Sequence, residues 1–88
     1  PHAPYHKAEP LYKRSLETKK KSLSKDHPDV ATALNNLAEL YRKQGRYDEA
    51  EPLYKRAIVI MTKKFPGGHP DIDVMEENYQ LLKKKMRE

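Results

Sequence analysis

The sequence predicts an all-α fold, an α-solenoid of antiparallel helix hairpins with about four helices. The block AEPLYKR occurs at residues 8–14 and again at 50–56, which is 42 positions later, and His-Pro-Asp recurs at the same spacing, at 27–29 and 69–71. A fixed period of this size is typical of stacked repeat proteins. Between these blocks the apolar residues recur every three to four positions, as they do on one face of a helix.

The first predicted helix covers residues 5–22 and is the earlier copy of the helix that carries the second AEPLYKR block. One face of it should point inward, and the apolar or small residues of this face are Ala8, Leu11, Tyr12, Ser15 and Leu16. We expect residues 1–4 to be frayed, because chain ends without packing partners are rarely ordered.

The second predicted helix covers residues 28–44 and has the clearest boundaries. His27-Pro28-Asp29 places a proline at the first helical position and an acid in the first turn, and both favour a helix start. Gly45 suits a left-handed residue just after the helix. The inward face is formed by Val30, Ala33, Leu34, Leu37, Ala38 and Tyr41.

The third predicted helix covers residues 48–64. Asp48 followed three residues later by Glu51 resembles a capping box, and Pro52 lies in the first turn, where its missing N–H costs little. Pro66-Gly67-Gly68 ends the helical pattern. Its inward face is formed by Ala50, Leu53, Tyr54, Ala57, Ile58 and Met61.

The fourth predicted helix covers residues 70–87 and begins with the second His-Pro-Asp. One stripe of it carries Ile72, Met75, Tyr79, Leu82 and Met86. Leu23 and Phe65 occupy matching sites in the two long connectors. We expect both side chains to pin their connectors to the helices.

Composition excludes several classes of protein. Eighty-eight residues form one small domain, residues 1–88. The absence of cysteine excludes disulfides and thiolate metal sites. No apolar run approaches the ~18 residues of a membrane span, so we expect no membrane partner and a cytoplasmic location.

The net charge is +5, and much of the excess lies in lysine runs at 19–21, 63–64 and 83–85. Such runs can bind nucleic acid, but they can equally complement the C-terminal ends of helix dipoles. We favour the second interpretation, because no arginine and aromatic platform accompanies the lysines.

No catalytic or metal-binding pattern is apparent, so we predict no catalytic residues, no metal and no cofactor. The three glycines do not form a phosphate-binding loop. His2 and His6 have the spacing of two helical metal ligands, but they lack further ligands nearby. His-Pro-Asp matches the tripeptide of J-domain co-chaperones, which use it once. In this chain the tripeptide recurs after 42 residues, and we interpret both copies as signals that start a helix.

The central residues resemble the tetratricopeptide repeat. The matching positions are Leu34, Leu37, Ala38, Tyr41, Gly45, Tyr47, Ala50, Tyr54 and Ala57. The 42-residue period, with its LNNLAELY and DHPD phrases, looks like the repeats of kinesin light chains. The resemblance implies the second helix of a first repeat at 5–24, a complete repeat at 28–65 and a terminal capping helix at 69–87.

The resemblance also implies a protein–protein interaction module, because the first helix of each repeat lines a concave groove that binds a peptide. The positions carried over are Thr32, Asn35, Asn36, Glu39, Arg42, Lys43, Glu77, Asn78 and Lys84, with Leu81 on a matching site. Asn36 recurs as Asn78 although asparagine is a poor mid-helix residue. The pair either faces the ligand backbone or makes a helix-to-helix hydrogen bond within the stack.

Two other functions stay open. The first helix lacks its hairpin partner, so the chain could be a structural repeat fragment that forms homo-oligomers or swaps helices through that helix. The third interpretation is a basic helical repeat that binds nucleic acid, although charge alone supports it. The carboxylate clamp of chaperone-binding relatives is not expected, because Glu39 stands where a clamp asparagine would be.

Overall fold

The computed structural model describes residues 3–88, with side chains from Lys7 onward. Its four helices are α1 Ala3–Ser22, α2 Pro28–Lys43, α3 Tyr47–Lys64 and α4 Pro70–Met86. The predicted all-α fold is confirmed, and each helix boundary lies within one or two residues of its prediction. Pro1 and His2, in the segment predicted to be frayed, lie outside the described residues.

The two His-Pro-Asp tripeptides begin α2 and α4, as predicted. The ring Nδ1 of His27 accepts a hydrogen bond from the backbone N–H of Asp29 at 3.0 Å, and His69 accepts one from Asp71 at the same distance. Each histidine therefore caps its helix with a side-chain acceptor, a role usually taken by serine, threonine, aspartate or asparagine.

Gly45 ends α2 in the left-handed conformation that the sequence predicted, with φ +78°. The Gly45 N–H donates to the Arg42 carbonyl at 3.0 Å, and the Arg46 N–H donates to the Tyr41 carbonyl at 2.8 Å. This pair of bonds is the Schellman motif, which satisfies the last carbonyls of the helix. It also turns the chain directly into α3.

The predicted capping box at Asp48 and Glu51 is wrong. The helix begins at Tyr47, and the residue before it, Arg46, makes no side-chain capping bond. The Ala50 N–H already donates to the Arg46 carbonyl at 3.1 Å, so the helical turn has started before Asp48 can cap it. Asp48 and Glu49 instead lie in the first turn, where carboxylates interact favourably with the helix dipole.

The core forms around α2, which packs against both α1 and α3, while α4 packs on the other side of α3. Because α2 is covered on two sides, Ala31 and Leu40 are buried in addition to the predicted face. In α3, Ile60 is buried beyond the prediction. Of the connector residues, Phe65 packs against the core and its ring lies 4.6 Å from that of His69.

The predicted inner face of α1 is only partly correct. Leu16 is buried, but Leu11 is 65% exposed, Tyr12 is 41% exposed and Ser15 is also exposed. One period later, Tyr54 and Ala57 have no exposed surface, because α2 covers that side of α3. In the described part of the chain no helix covers the corresponding side of α1. In α4 likewise, Met75 and Leu82 are buried, but Met86 is exposed.

Candidate functional site

Six of the predicted groove residues lie on the side of α2 that the core leaves free. We call them the α2 stripe, and its members are Thr32, Asn35, Asn36, Glu39, Arg42 and Lys43. The spacing of three to four residues puts them on one helix face. Thr32, Asn36 and Lys43 are exposed, whereas the other three are half-buried.

The two asparagines of the α2 stripe have free hydrogen-bonding capacity. Asn36 is exposed, and its amide makes no hydrogen bond with any other described residue. The Oδ1 atom of its neighbour Asn35 is buried and has no hydrogen-bond partner among them. The helix-to-helix bond considered for Asn36 and Asn78 is not formed in the described part of the chain.

Glu39 differs from the rest of the α2 stripe, because its carboxylate is used inside the fold. Its Oε1 accepts a hydrogen bond from the hydroxyl of Tyr54 at 3.0 Å, and its Oε2 accepts one from Arg42 at 3.2 Å. Burial of Tyr54, together with the Glu39 charge, raises the pKa of that phenol to about 12. Glu39 therefore lies at the edge between α2 and α3.

Arg42 shares this edge. Burial is the largest single effect and lowers the pKa of its guanidinium, but the hydrogen bonds and charge interactions with Glu39 and Tyr54 together outweigh burial and raise the pKa. Since these two charges neutralise each other, Lys43 is the cation of the α2 stripe that forms no ion pair with another described residue. Thr32 is exposed, and its hydroxyl donates to the Pro28 carbonyl at 3.3 Å.

The predicted residues of α4 lie at positions equivalent to those of the α2 stripe. Glu77 and Lys84 are exposed, Asn78 is half-buried, and the neighbouring Leu81 is 56% exposed. Among the described residues no side-chain hydrogen bond joins this set to the α2 stripe. The structure thus gives two separate faces, one on α2 and one on α4.

Sequence reasoning missed a polar cluster around Glu9. Its Oε1 accepts a hydrogen bond from Arg46, and its Oε2 accepts one from the hydroxyl of Tyr41 at 3.3 Å and pairs with Lys13 at 3.0 Å. The hydrogen bond from Arg46 is the main reason that the pKa of Glu9 falls to about 2. The Arg46 guanidinium also lies 4.2 Å from the centre of the Tyr41 ring.

The same contact recurs one period later, where Glu51 accepts a hydrogen bond from the Tyr79 hydroxyl at 3.3 Å. The glutamate of each AEPLYKR block therefore accepts a hydrogen bond from a tyrosine on the next helix, which is α2 for Glu9 and α4 for Glu51. The recurrence of this glutamate was a signal in the sequence. Its partner could not be predicted from the period, because Tyr79 lies one helical turn before the position equivalent to Tyr41.

The lysine runs lie in the last turns of α1, α3 and α4, where they complement the helix dipoles as predicted. Among residues 7–88 no group of three or more histidine, cysteine or acidic side chains could hold a metal ion. His2 and His6, which we do not expect to bind a metal, lie outside the described side chains. None of the helices described is long and apolar enough to cross a membrane.

A family model described as tetratricopeptide repeat matches residues 4–63. The matched segment begins in α1 and ends in the last turn of α3, so it includes the α2 stripe and the cluster around Glu9. No curated protein gives a significant match to the chain.

Proposed function

Because the chain belongs to the tetratricopeptide-repeat family, whose members are generally protein-interaction modules, we propose that it binds a peptide segment of another protein along the α2 stripe. The family is one of non-catalytic scaffolds, and we propose no enzymatic activity for this chain. The cytoplasmic location stays a prediction.

The observation that carries the proposal is the unused hydrogen-bonding capacity of Asn35 and Asn36. A side-chain amide both donates and accepts, so it can bond to the N–H and carbonyl groups of an extended peptide. A buried acceptor without a partner costs free energy, and a small rotation of the Asn35 amide toward a ligand N–H would relieve that cost. Both residues are in the middle of α2, at the centre of the α2 stripe.

The charges of the α2 stripe favour a ligand with acidic side chains. Glu39 and Arg42 neutralise each other at 3.2 Å, which leaves Lys43 as the free charge at the end of α2. Near the end of α4, Lys84 is exposed and forms no ion pair with another described residue. We therefore expect the ligand to place carboxylates near the C-terminal ends of α2 and α4.

The test is selection of ligands from a displayed library of random peptides, followed by calorimetric titration of the selected peptides. Asn36→Ala should weaken binding roughly tenfold or more, because the lost hydrogen bonds lie at the centre of the contact. Lys55→Ala is the matched control, since Lys55 is exposed on α3, away from the α2 stripe. Helicity measured by circular dichroism should be the same in both variants.

Normal binding by Asn36→Ala and by Asn35→Ala would refute the assignment of the α2 stripe. Binding that survives both changes but is lost on substitution of lysines at 19–21 would favour the alternative of a basic surface. For nucleic acid, the decisive observation would be an affinity for DNA or RNA that falls steeply with salt.

A second candidate is self-association through α1, which the exposed side chains of Leu11 and Tyr12 favour. This face is apolar where the rest of α1 is charged, and its equivalents in α3 are covered by a helix. We propose that α1 takes part in a homo-oligomer. A mass that rises with protein concentration would support it.

A further inference from the structure

Two helix faces of the chain lack the partner that their period equivalents have. The first is on α1, where Tyr12 is 41% exposed although the equivalent Tyr54 has no exposed surface. Leu11 is 65% exposed, whereas the equivalent Leu53 packs against the core. The difference arises because α2 covers α3, and no described helix covers α1 in the same way.

The second face is on α4, which is the period equivalent of α2. Ala31, Leu34 and Ala38 of α2 are buried, but the equivalent residues of α4 are exposed. Those residues are Asp73, Glu76 and Gln80. In α2 this side is buried because the helix packs between α1 and α3, whereas the main contact of α4 in the described part of the chain is with α3.

We propose that α4 of one copy and α1 of a second copy pack against each other as α2 and α3 do within one copy. The proposal rests on the self-association suggested above and specifies its geometry. The two uncovered helices are complementary, because α4 is the period equivalent of α2 and α1 is the period equivalent of α3. The contact is head-to-tail, so it builds open chains or closes into a ring.

The α2–α3 hairpin supplies the register of this contact. Within one copy Glu39 meets Tyr54 at 3.0 Å. One period away, the equivalent residues are Leu81 on α4 and Tyr12 on α1. Both have large exposed apolar surfaces, 56% for Leu81 and 41% for Tyr12. The intermolecular contact therefore replaces a hydrogen bond by apolar burial at the same place.

Charge also favours α4 over a second α1 as the partner of α1. The first half of α4 carries its acidic residues, Asp71, Asp73, Glu76 and Glu77. The last turn of α1 carries Lys19, Lys20 and Lys21. In an antiparallel hairpin these two segments face each other, and opposite charges attract. Two copies of α1 would instead repel, because basic side chains outnumber acidic ones along this helix.

The polar character of the α4 face makes the contact salt-dependent. Sedimentation equilibrium of the 88-residue chain from about 10 μM to about 1 mM should show a rising mass at about 20 mM salt. The rise should be much smaller at about 500 mM salt, where exposed charges are screened. A monomer mass throughout at low salt would overturn the self-association itself, together with the head-to-tail geometry.

Three variants of α4 test the register. Leu81→Lys should weaken association roughly tenfold or more, because it places a cation against the basic α1. Leu81→Glu should associate at least as well as the unchanged chain, since Glu39 meets Tyr54 at the equivalent position. Val74→Lys is the matched control, because Val74 is 55% exposed on α4 but corresponds to Thr32 of the α2 stripe. Because it adds the same charge outside the proposed contact, it should weaken association much less than Leu81→Lys.

A mixing experiment separates the head-to-tail contact from a symmetric one. Tyr12→Lys and Leu81→Lys should each associate roughly tenfold or more weakly than the unchanged chain, whereas their mixture should form a one-to-one heterodimer through the one intact pair of faces. Association of Leu81→Lys equal to that of the unchanged chain would overturn the geometry while leaving self-association through α1 in place. A mixture that stays monomeric would also overturn it, provided that both variants keep their helicity.

Discussion

Tyr54 is fully buried in α3 and donates its hydroxyl hydrogen bond to Glu39 Oε1 of α2 at 3.0 Å. Tyr54→Phe should cost about 1 kcal/mol of unfolding free energy, because Glu39 loses one of its two donors and the ring packing stays. Urea denaturation followed by circular dichroism measures the loss. Tyr12→Phe is the control and should be nearly neutral, since its ring is 41% exposed.

The same phenol predicts instability at high pH. Its pKa is raised to about 12 by burial and by the Glu39 charge, so the unfolded chain releases this proton more readily than the folded chain. The contribution to stability is therefore complete below the ordinary pKa of about 10 and is lost as the pH rises through about 12. Ultraviolet titration of the folded protein should show the late ionisation of this phenol, and Tyr54→Phe should lack it.

Glu9 predicts the opposite dependence at low pH. The hydrogen bond from Arg46 lowers its pKa to about 2, so the folded chain holds this carboxylate ionised where the unfolded chain binds a proton. Its contribution is present above the ordinary value of about 4.5 and is lost as the pH falls toward about 2.

Glu9→Gln should remove this acid-sensitive contribution at a cost of roughly 1 kcal/mol near neutral pH, since the pair is partly solvated. Thermal unfolding at several pH values measures it. Glu17→Gln on the same helix is the control, because its side chain is 62% exposed. An acid transition with the same midpoint in Glu9→Gln and the unchanged chain would contradict the role of this carboxylate.

The helix boundaries could be predicted from the sequence because local residues set them. Proline after His27 and His69 and glycine at position 45 act on their own backbone, whatever surrounds them. The capping box at Asp48 is wrong because the left-handed turn at Gly45 leads directly into α3, where the Ala50 N–H already bonds to the Arg46 carbonyl. The side chain of Arg46 instead binds Glu9, which lies far away in the sequence.

Faces were harder to predict than boundaries. An apolar stripe indicates that one face of a helix packs against another helix, but it does not indicate whether that second helix belongs to the same chain. For this reason the stripe of α1 predicts an inner face that includes Leu11 and Tyr12, although both side chains are exposed. The α2 stripe could be proposed from the resemblance, but the pairing of Glu39 with Tyr54 depends on two helices meeting at that level, and the period contains no information on it.

The histidine caps predict a measurable difference between the two copies. His27→Ala should cost about 1 kcal/mol, the usual loss for a missing cap acceptor, and His27→Asn should restore most of it. His69→Ala should cost more, because its ring also packs against Phe65 at 4.6 Å. Thermal unfolding of the three variants checks the order. Equal stability of His27→Ala and the unchanged chain would show that the ring nitrogen is not an effective cap.

We expect substitution by alanine to destabilise the fold at Gly45 but not at Gly67. Gly45 has φ +78°, a backbone conformation that residues with a Cβ rarely adopt, whereas the φ of Gly67 is not positive. At both positions an added Cβ would find no atom within 4 Å beyond its chain neighbours. Gly45→Ala should therefore cost about 1 kcal/mol, and the strain is conformational rather than a clash with neighbours. Gly67→Ala should be close to neutral. A shift of the melting temperature by several degrees for Gly45→Ala alone would confirm that the left-handed turn holds α2 against α3. Equal shifts for both glycines would mean that loop entropy, and not the left-handed conformation, explains the loss.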